Sequence, residues 1–98
     1  MAEELKHNPA ERQFEAWVDG ALVGRITYRL RPDDIADLNH TLVDESARGS
    51  GLAGRLAQFA FDQIRAEGKW TILPTCPYVS AWAKRHPEYA ELLVESAR

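Results

Sequence analysis

The stretch Val43-Asp44-Glu45-Ser46-Ala47-Arg48-Gly49-Ser50-Gly51-Leu52-Ala53-Gly54 decides the reading of the chain. It lies between two strongly patterned segments. Before it, Ile35–Val43 reads as a strand. After it, Leu52, Leu56, Phe59, Ala60 and Ile64 fall on one face of a helix over Leu52–Glu67, and Gly68 stands where a helix end favours glycine. Small residues between strand and helix let a backbone approach a ligand closely. The unsatisfied N–H groups of the first helical turn, with the helix dipole, favour an anion there, and a phosphate or pyrophosphate is the natural guest. Two ligand patterns overlap on these residues. Gly49-x-Gly51-x-x-Gly54 matches the dinucleotide fingerprint, and Arg48-x-x-Gly51-x-Ala53 matches an acetyl-CoA loop. A third reading is a glycine-rich turn that only lets strand and helix pack. Against the dinucleotide stand the long Asp44–Arg48 connection and the absence of an acidic residue near Pro74 to hold a ribose.

Working outward, Gln13–Val18 alternates and is followed by Asp19-Gly20, a hairpin signal, since both turn positions tolerate positive φ. Ala21–Leu30 alternates again, with Leu22, Gly24, Ile26, Tyr28 and Leu30 on one side, and Arg31-Pro32-Asp33-Asp34 is a turn. Lys69–Leu73 reads as a fourth strand stopped by Pro74 and Pro77. Tyr78–Arg85 reads as a second helix and Glu88–Ala97 as a short third. The order β-β-β-α-β-α predicts an α+β fold: an antiparallel meander whose third strand, long helix and fourth strand form a βαβ unit with parallel strands. Residues 1–98 are expected to form one domain, with residues 1–11 loosely ordered and His7 in that mobile tail.

Composition narrows the function. The 98 residues are 45% hydrophobic and 28% charged, as in ordinary globular proteins. The lone cysteine, Cys76, excludes an intrachain disulfide and points to a reducing, cytoplasmic setting. A net charge of −3, with no basic block, argues against sequence-independent nucleic-acid binding. No apolar run is long enough to span a bilayer, the N-terminus lacks signal-peptide character, and the histidines and cysteine have no metal-ligand spacing.

Four separated stretches resemble the small one-domain members of the GCN5-related N-acetyltransferase (GNAT) superfamily. They are His40-Thr-Leu-Val43, Arg48-Gly-Ser-Gly-Leu-Ala53, Pro74-Thr-Cys-Pro-Tyr-Val79 and Arg85-His-Pro-Glu-Tyr89. The resemblance implies a GNAT-like mixed sheet and binding of acetyl-CoA or another short acyl-CoA. Leu42 and Val43 would hydrogen-bond the pantetheine arm. Arg48, Gly49, Ser50, Gly51, Leu52 and Ala53 would hold the pyrophosphate. The expected reaction is acyl transfer to an amine of unknown identity, without a metal, and the alternative is a non-catalytic acyl-CoA-binding module. The chain departs from larger members in two ways. It starts almost at the meander, without their strand–helix–helix segment, and the middle of its second helix offers Trp82 and Ala83 where they often carry a tyrosine.

Three residues are candidates for the chemistry. Cys76 precedes a helix start; near His40 its thiol would have a lowered pKa and would either accept the acyl group or contact the cofactor, although a buried structural cysteine fits equally. His40, placed by alternation on one face with Leu38 and Leu42, suits a base that takes the amine proton, or a core histidine. The Tyr78 hydroxyl would protonate the leaving thiolate, or cap or pack.

Overall fold

A computed structural model describes residues 2–98. Strands β1 (Glu3–Asn8), β2 (Gln13–Val18), β3 (Ala21–Arg31), β4 (Ile35–Val43) and β5 (Thr71–Pro74) form one sheet in the order β1-β2-β3-β4-β5. The first four pair antiparallel, while β4 and β5 pair parallel from Ile35↔Thr71 to Leu38↔Pro74. Helix α1 spans Leu52–Glu67 and α2 spans Pro77–Arg85. The expected mixed sheet with a parallel βαβ unit is therefore present, and Asp19 (φ 49°) with Gly20 (φ 82°) makes the β2–β3 turn.

Two expectations fail at the chain ends. Of the stretch 1–11 expected to be loose, Met1 lies outside the described residues, but Glu3–Asn8 pairs with β2 along its length. His7 anchors this strand by stacking on Phe14 at 4.4 Å between ring centroids and meeting the Tyr28 hydroxyl at 2.7 Å. The sequence hides the strand because Leu5 is its only aliphatic side chain. At the other end the third helix is replaced by two 3-10 segments, Pro87–Leu92 and Glu95–Ala97. Between them the Val94 N–H donates to the Ile72 carbonyl, so the chain flanks β5 instead of continuing as a helix.

Phe14, Ile26, Leu38, Leu56 and Phe61 are fully buried, and each such side chain contributes about 1.5–3 kcal/mol. All belong to one core, to which α1 gives Leu52, Leu56, Ala60 and Ile64 and α2 gives Val79 and Trp82. Phe61 of α1 meets Trp82 of α2 at 5.0 Å, so the helices lie side by side on one face of the sheet. The other face is left open.

Candidate functional site

The register of β4 against β3 shifts once. Tyr28 faces Leu38, but Thr27 faces His40, which leaves Asn39 as an extra residue in β4. Such a bulge reverses the alternation beyond it. Leu38 points into the core, Thr41 and Val43 share the face of their partners Ile26 and Gly24, and His40 and Leu42 turn to the open face, where both are exposed. This corrects the predicted placement of His40 beside Leu38. A similar shift in β3 sets Leu22 opposite Trp17 and takes it out of the predicted row with Ile26.

The same segment loses its partner on the other side. β5 ends at Pro74, and the Cys76 N–H closes the pairing by donating to the Leu38 carbonyl at 2.9 Å. Beyond this point the edge of β4 toward β5 is free. The Asp44 N–H donates to Val23 of β3. By the twofold period of an antiparallel strand, the N–H and C=O groups of Thr41 and Val43 therefore point away from β3, into the gap.

Cys76 caps α2 at the closed end of this gap and is only 5% exposed. Its sulfur lies 3.4 Å from the Thr41 hydroxyl. Burial pushes the thiol up, but the Thr41 hydroxyl and the backbone N–H groups of Val79, Tyr78 and Thr41 outweigh it, holding the pKa below the usual thiol range. Thr41, not the expected His40, is thus the polar neighbour of Cys76. Sequence reading missed Thr41 because only the bulge turns it inward.

At the open end lies the glycine loop. Gly49 (φ 81°) and Gly51 (φ 82°) both adopt the left-handed conformation that favours glycine. Gly51 is the N-cap of α1, no side chain caps the helix, and the first turn contains no acidic residue. The N–H groups of that turn are therefore free for an anion. A Cβ on Gly51 would stand 3.1 Å from the Arg55 guanidinium. Arg55 fixes the loop: its Nη1 donates to the Ser50 carbonyl at 2.9 Å, while its Nε and Nη2 hold both carboxylate oxygens of Glu3 at 2.9 and 2.7 Å. The Arg48 Nε donates to the Val43 carbonyl at 3.3 Å.

Between the two ends runs a cleft of about 510 Å³, lined among others by Leu22, Arg25, Thr41, Leu42, Val43, Arg48, Ala53 and Tyr78. Its lining combines Arg25 and Leu42 of the open face with Thr41, Val43 and Ala53 of the helix-covered face. Gly54 lets α2 close its floor, since a Cβ there would lie 3.7 Å from the Tyr78 hydroxyl and 3.9 Å from the Trp82 indole nitrogen. Of the predicted site residues, Leu42, Val43, Arg48, Ala53 and Tyr78 line the cleft, Cys76 lies buried behind Thr41, Gly49, Ser50, Gly51 and Leu52 complete the loop beside the cleft, and His40 sits on the far side of β4. Among the described residues no cluster of His, Cys, Asp or Glu has the arrangement of a metal site, and no helix is long and apolar enough to cross a membrane.

Residues 13–92 match the family described as GCN5-related N-acetyl-transferase. Mouse Protein NATD1 is 33% identical over 92 residues, which cover 91% of this chain and 83% of that protein. A GCN5-like protein of Staphylococcus aureus, solved by NMR, shares the fold with a TM-score of 0.71 at 21% identity, over 93% of this chain and 87% of its own. The ribosomal-protein-S18-alanine N-acetyltransferase of Escherichia coli superposes with a TM-score of 0.59 at 20% identity, over 76% of this chain and 52% of its own. With a bulged β4, a split from β5 and a glycine loop opening α1, the chain belongs to the GCN5-related N-acetyltransferase family.

Proposed function

We propose that the protein binds acetyl-CoA or another short acyl-CoA in this cleft and transfers the acyl group to an amine. The observation that carries this reading is the free edge of β4, which leads from the uncapped N-terminus of α1 to the Cys76–Thr41 pair. The pyrophosphate rests on the amides of the Arg48–Ala53 loop, with the Arg48 guanidinium beside it. The pantetheine amides pair with the Val43 N–H and the Thr41 carbonyl, the outward groups that Arg48 and Cys76 do not engage. Leu42 contributes backbone to this segment and apolar surface on the other face. The thioester then lies at the bulge, where backbone N–H groups polarise its carbonyl.

In direct transfer the amine lone pair attacks the thioester carbon and the C–S bond breaks. The amine loses one proton and the CoA thiolate gains one. His40, on the open side of β4, takes the proton from an amine arriving on that side. The Tyr78 hydroxyl, which makes no hydrogen bond among the described residues, supplies the proton to the thiolate. The burial of Cys76 favours a role for its thiol as a neighbour of the reacting group over one as acyl carrier.

The test is a residue-resolved NMR titration with acetyl-CoA, followed by mass spectrometry of the protein incubated without an amine. Shifts concentrated at Val43–Arg55, thioester loss only when an amine is added, and an unmodified Cys76 are expected. A stable acetyl-Cys76 that discharges to an amine at the turnover rate would replace direct transfer by an acyl-enzyme route. Binding without thioester loss with any amine would leave an acyl-CoA-binding module, a reading favoured by Trp82 and Ala83 in the middle of α2. Absence of binding would refute the site.

A further inference from the structure

The face of the sheet turned away from α1 and α2 differs from an ordinary solvated face. Its two central carboxylates, Glu15 and Asp37, are each only 5% exposed. Both are saturated: Glu15 accepts from Asn8, Gln13 and Trp17, and Asp37 from Arg31 and Thr75. Glu4 pairs with Lys6 at 3.6 Å. Arg25 and Arg29 on β3 are exposed; the register sets them opposite Glu15 and Asp37, but those carboxylates are held by other donors and neither arginine forms an ion pair among the described residues. Leu42, directly opposite Arg25, is 51% exposed, and Leu22 is 37% exposed. A chain of net charge −3 thus carries two exposed guanidiniums that form no ion pair beside exposed leucines. This row runs along β3, and His40 on β4 stands opposite Thr27, between the two arginines.

The geometry points to an extended acidic peptide as the acceptor-bearing partner of this face, with two carboxylates four residues apart and an apolar side chain between Leu22 and Leu42. Arg25 and Arg29 are four residues apart on one strand, hence on one face and about 13 Å from each other at the rise of a strand. An extended peptide laid along β3 has the same rise, so its side chains at that spacing meet both guanidiniums. This assignment rests on the acyl-transfer reading, because it brings the peptide's amine to the open mouth of the cleft beside His40. A nucleic acid is disfavoured: two free cations fall far short of the roughly six to ten phosphate contacts of an electrostatically driven complex. A second copy of the chain is disfavoured too. Its own central carboxylates are sequestered, so a twofold pairing would set guanidinium rows together with nothing to neutralise them.

The test uses the full chain and two fluorescein-labelled nine-residue peptides. Both contain one leucine and one lysine; one has glutamate at its third and seventh positions and the other arginine. Fluorescence anisotropy at low salt should show the acidic peptide binding at least about tenfold more tightly, with the difference shrinking as salt is raised. Arg29→Ala should weaken the acidic peptide about two- to fivefold, and Arg29→Glu should abolish the preference. Acetyl-CoA affinity, titrated separately, should not change in either variant. Equal affinity for the two peptides, a preference untouched in both variants, tighter binding of a single-stranded RNA of the same length, or a dimer that excludes the peptide would each overturn the assignment. If the acidic peptide binds but acetyl-CoA does not, the acyl-transfer reading fails while the docking face stands. If acetyl-CoA binds and the acidic peptide shows no preference, the docking face alone fails.

Discussion

The Arg48–Gly54 loop and the gap between β4 and β5 meet in one cleft but are built by opposite means. The loop is local. A few consecutive residues, two of them glycines at positive φ, aim free amides at one point, where the helix dipole adds a partial positive charge. The gap is non-local. It exists because Asn39 adds a residue to β4, Pro74 ends β5, and the Cys76 N–H ties the strands at Leu38 before they part. One region offers a positive potential suited to an anion; the other offers directional, neutral hydrogen-bonding groups beside a tuned thiol. A substitution in the loop should therefore be read in affinity, and one in the gap in reactivity.

The largest expected effect lies in the loop. Gly51→Val places a branched side chain at a left-handed position and within 3.1 Å of the Arg55 guanidinium. Losing even two charge-assisted hydrogen bonds to a pyrophosphate costs about 3 kcal/mol, or roughly 100-fold in acetyl-CoA affinity by calorimetry. Gly49→Ala, also at positive φ but with nothing within 4 Å of its Cβ, should lose far less. Equal losses in the two would mean that backbone strain, not the space above Gly51, sets the effect.

A smaller effect is expected in the gap. Thr41→Val removes the hydroxyl that stabilises the Cys76 thiolate, leaving the upward push of burial less opposed. The pH profile of iodoacetamide alkylation should move to higher pH, while acetyl-CoA affinity stays within about threefold, as for one neutral hydrogen bond. A profile that stays in place or moves down would separate the thiol from Thr41.

The smallest effect tests the support behind the loop. Glu3→Gln breaks the pair with Arg55, whose partners are both partly exposed. Acetyl-CoA affinity should fall by no more than about fivefold, within the range for an exposed ion pair. A loss approaching that of Gly51→Val would make β1 part of the binding machinery instead of its brace.

These differences also explain what could be read in advance. Strands Gln13–Val18 and Ile35–Val43 and helix Leu52–Glu67 carry their own period, and the loop carries its glycines, so all were legible. His40 was misplaced because an inserted residue leaves no mark on a hydrophobic pattern yet flips every side chain after it. β1 was missed because it gains its stability from pairing with β2 and from the stacking of His7 on Phe14, neither of which a polar, charged segment announces.

The parallel pairing of β4 with β5 has a consequence for how the molecule assembles. The meander joins neighbours in sequence, whereas Ile35 must find Thr71 across the whole of α1, through a register of only four residue pairs. Closing that larger loop costs more entropy before any contact repays it, and such pairings come late in folding. Tyr78, which follows β5, lines the cleft opposite the meander, so a chain in which this pairing had not formed would hold the meander without a closed cleft.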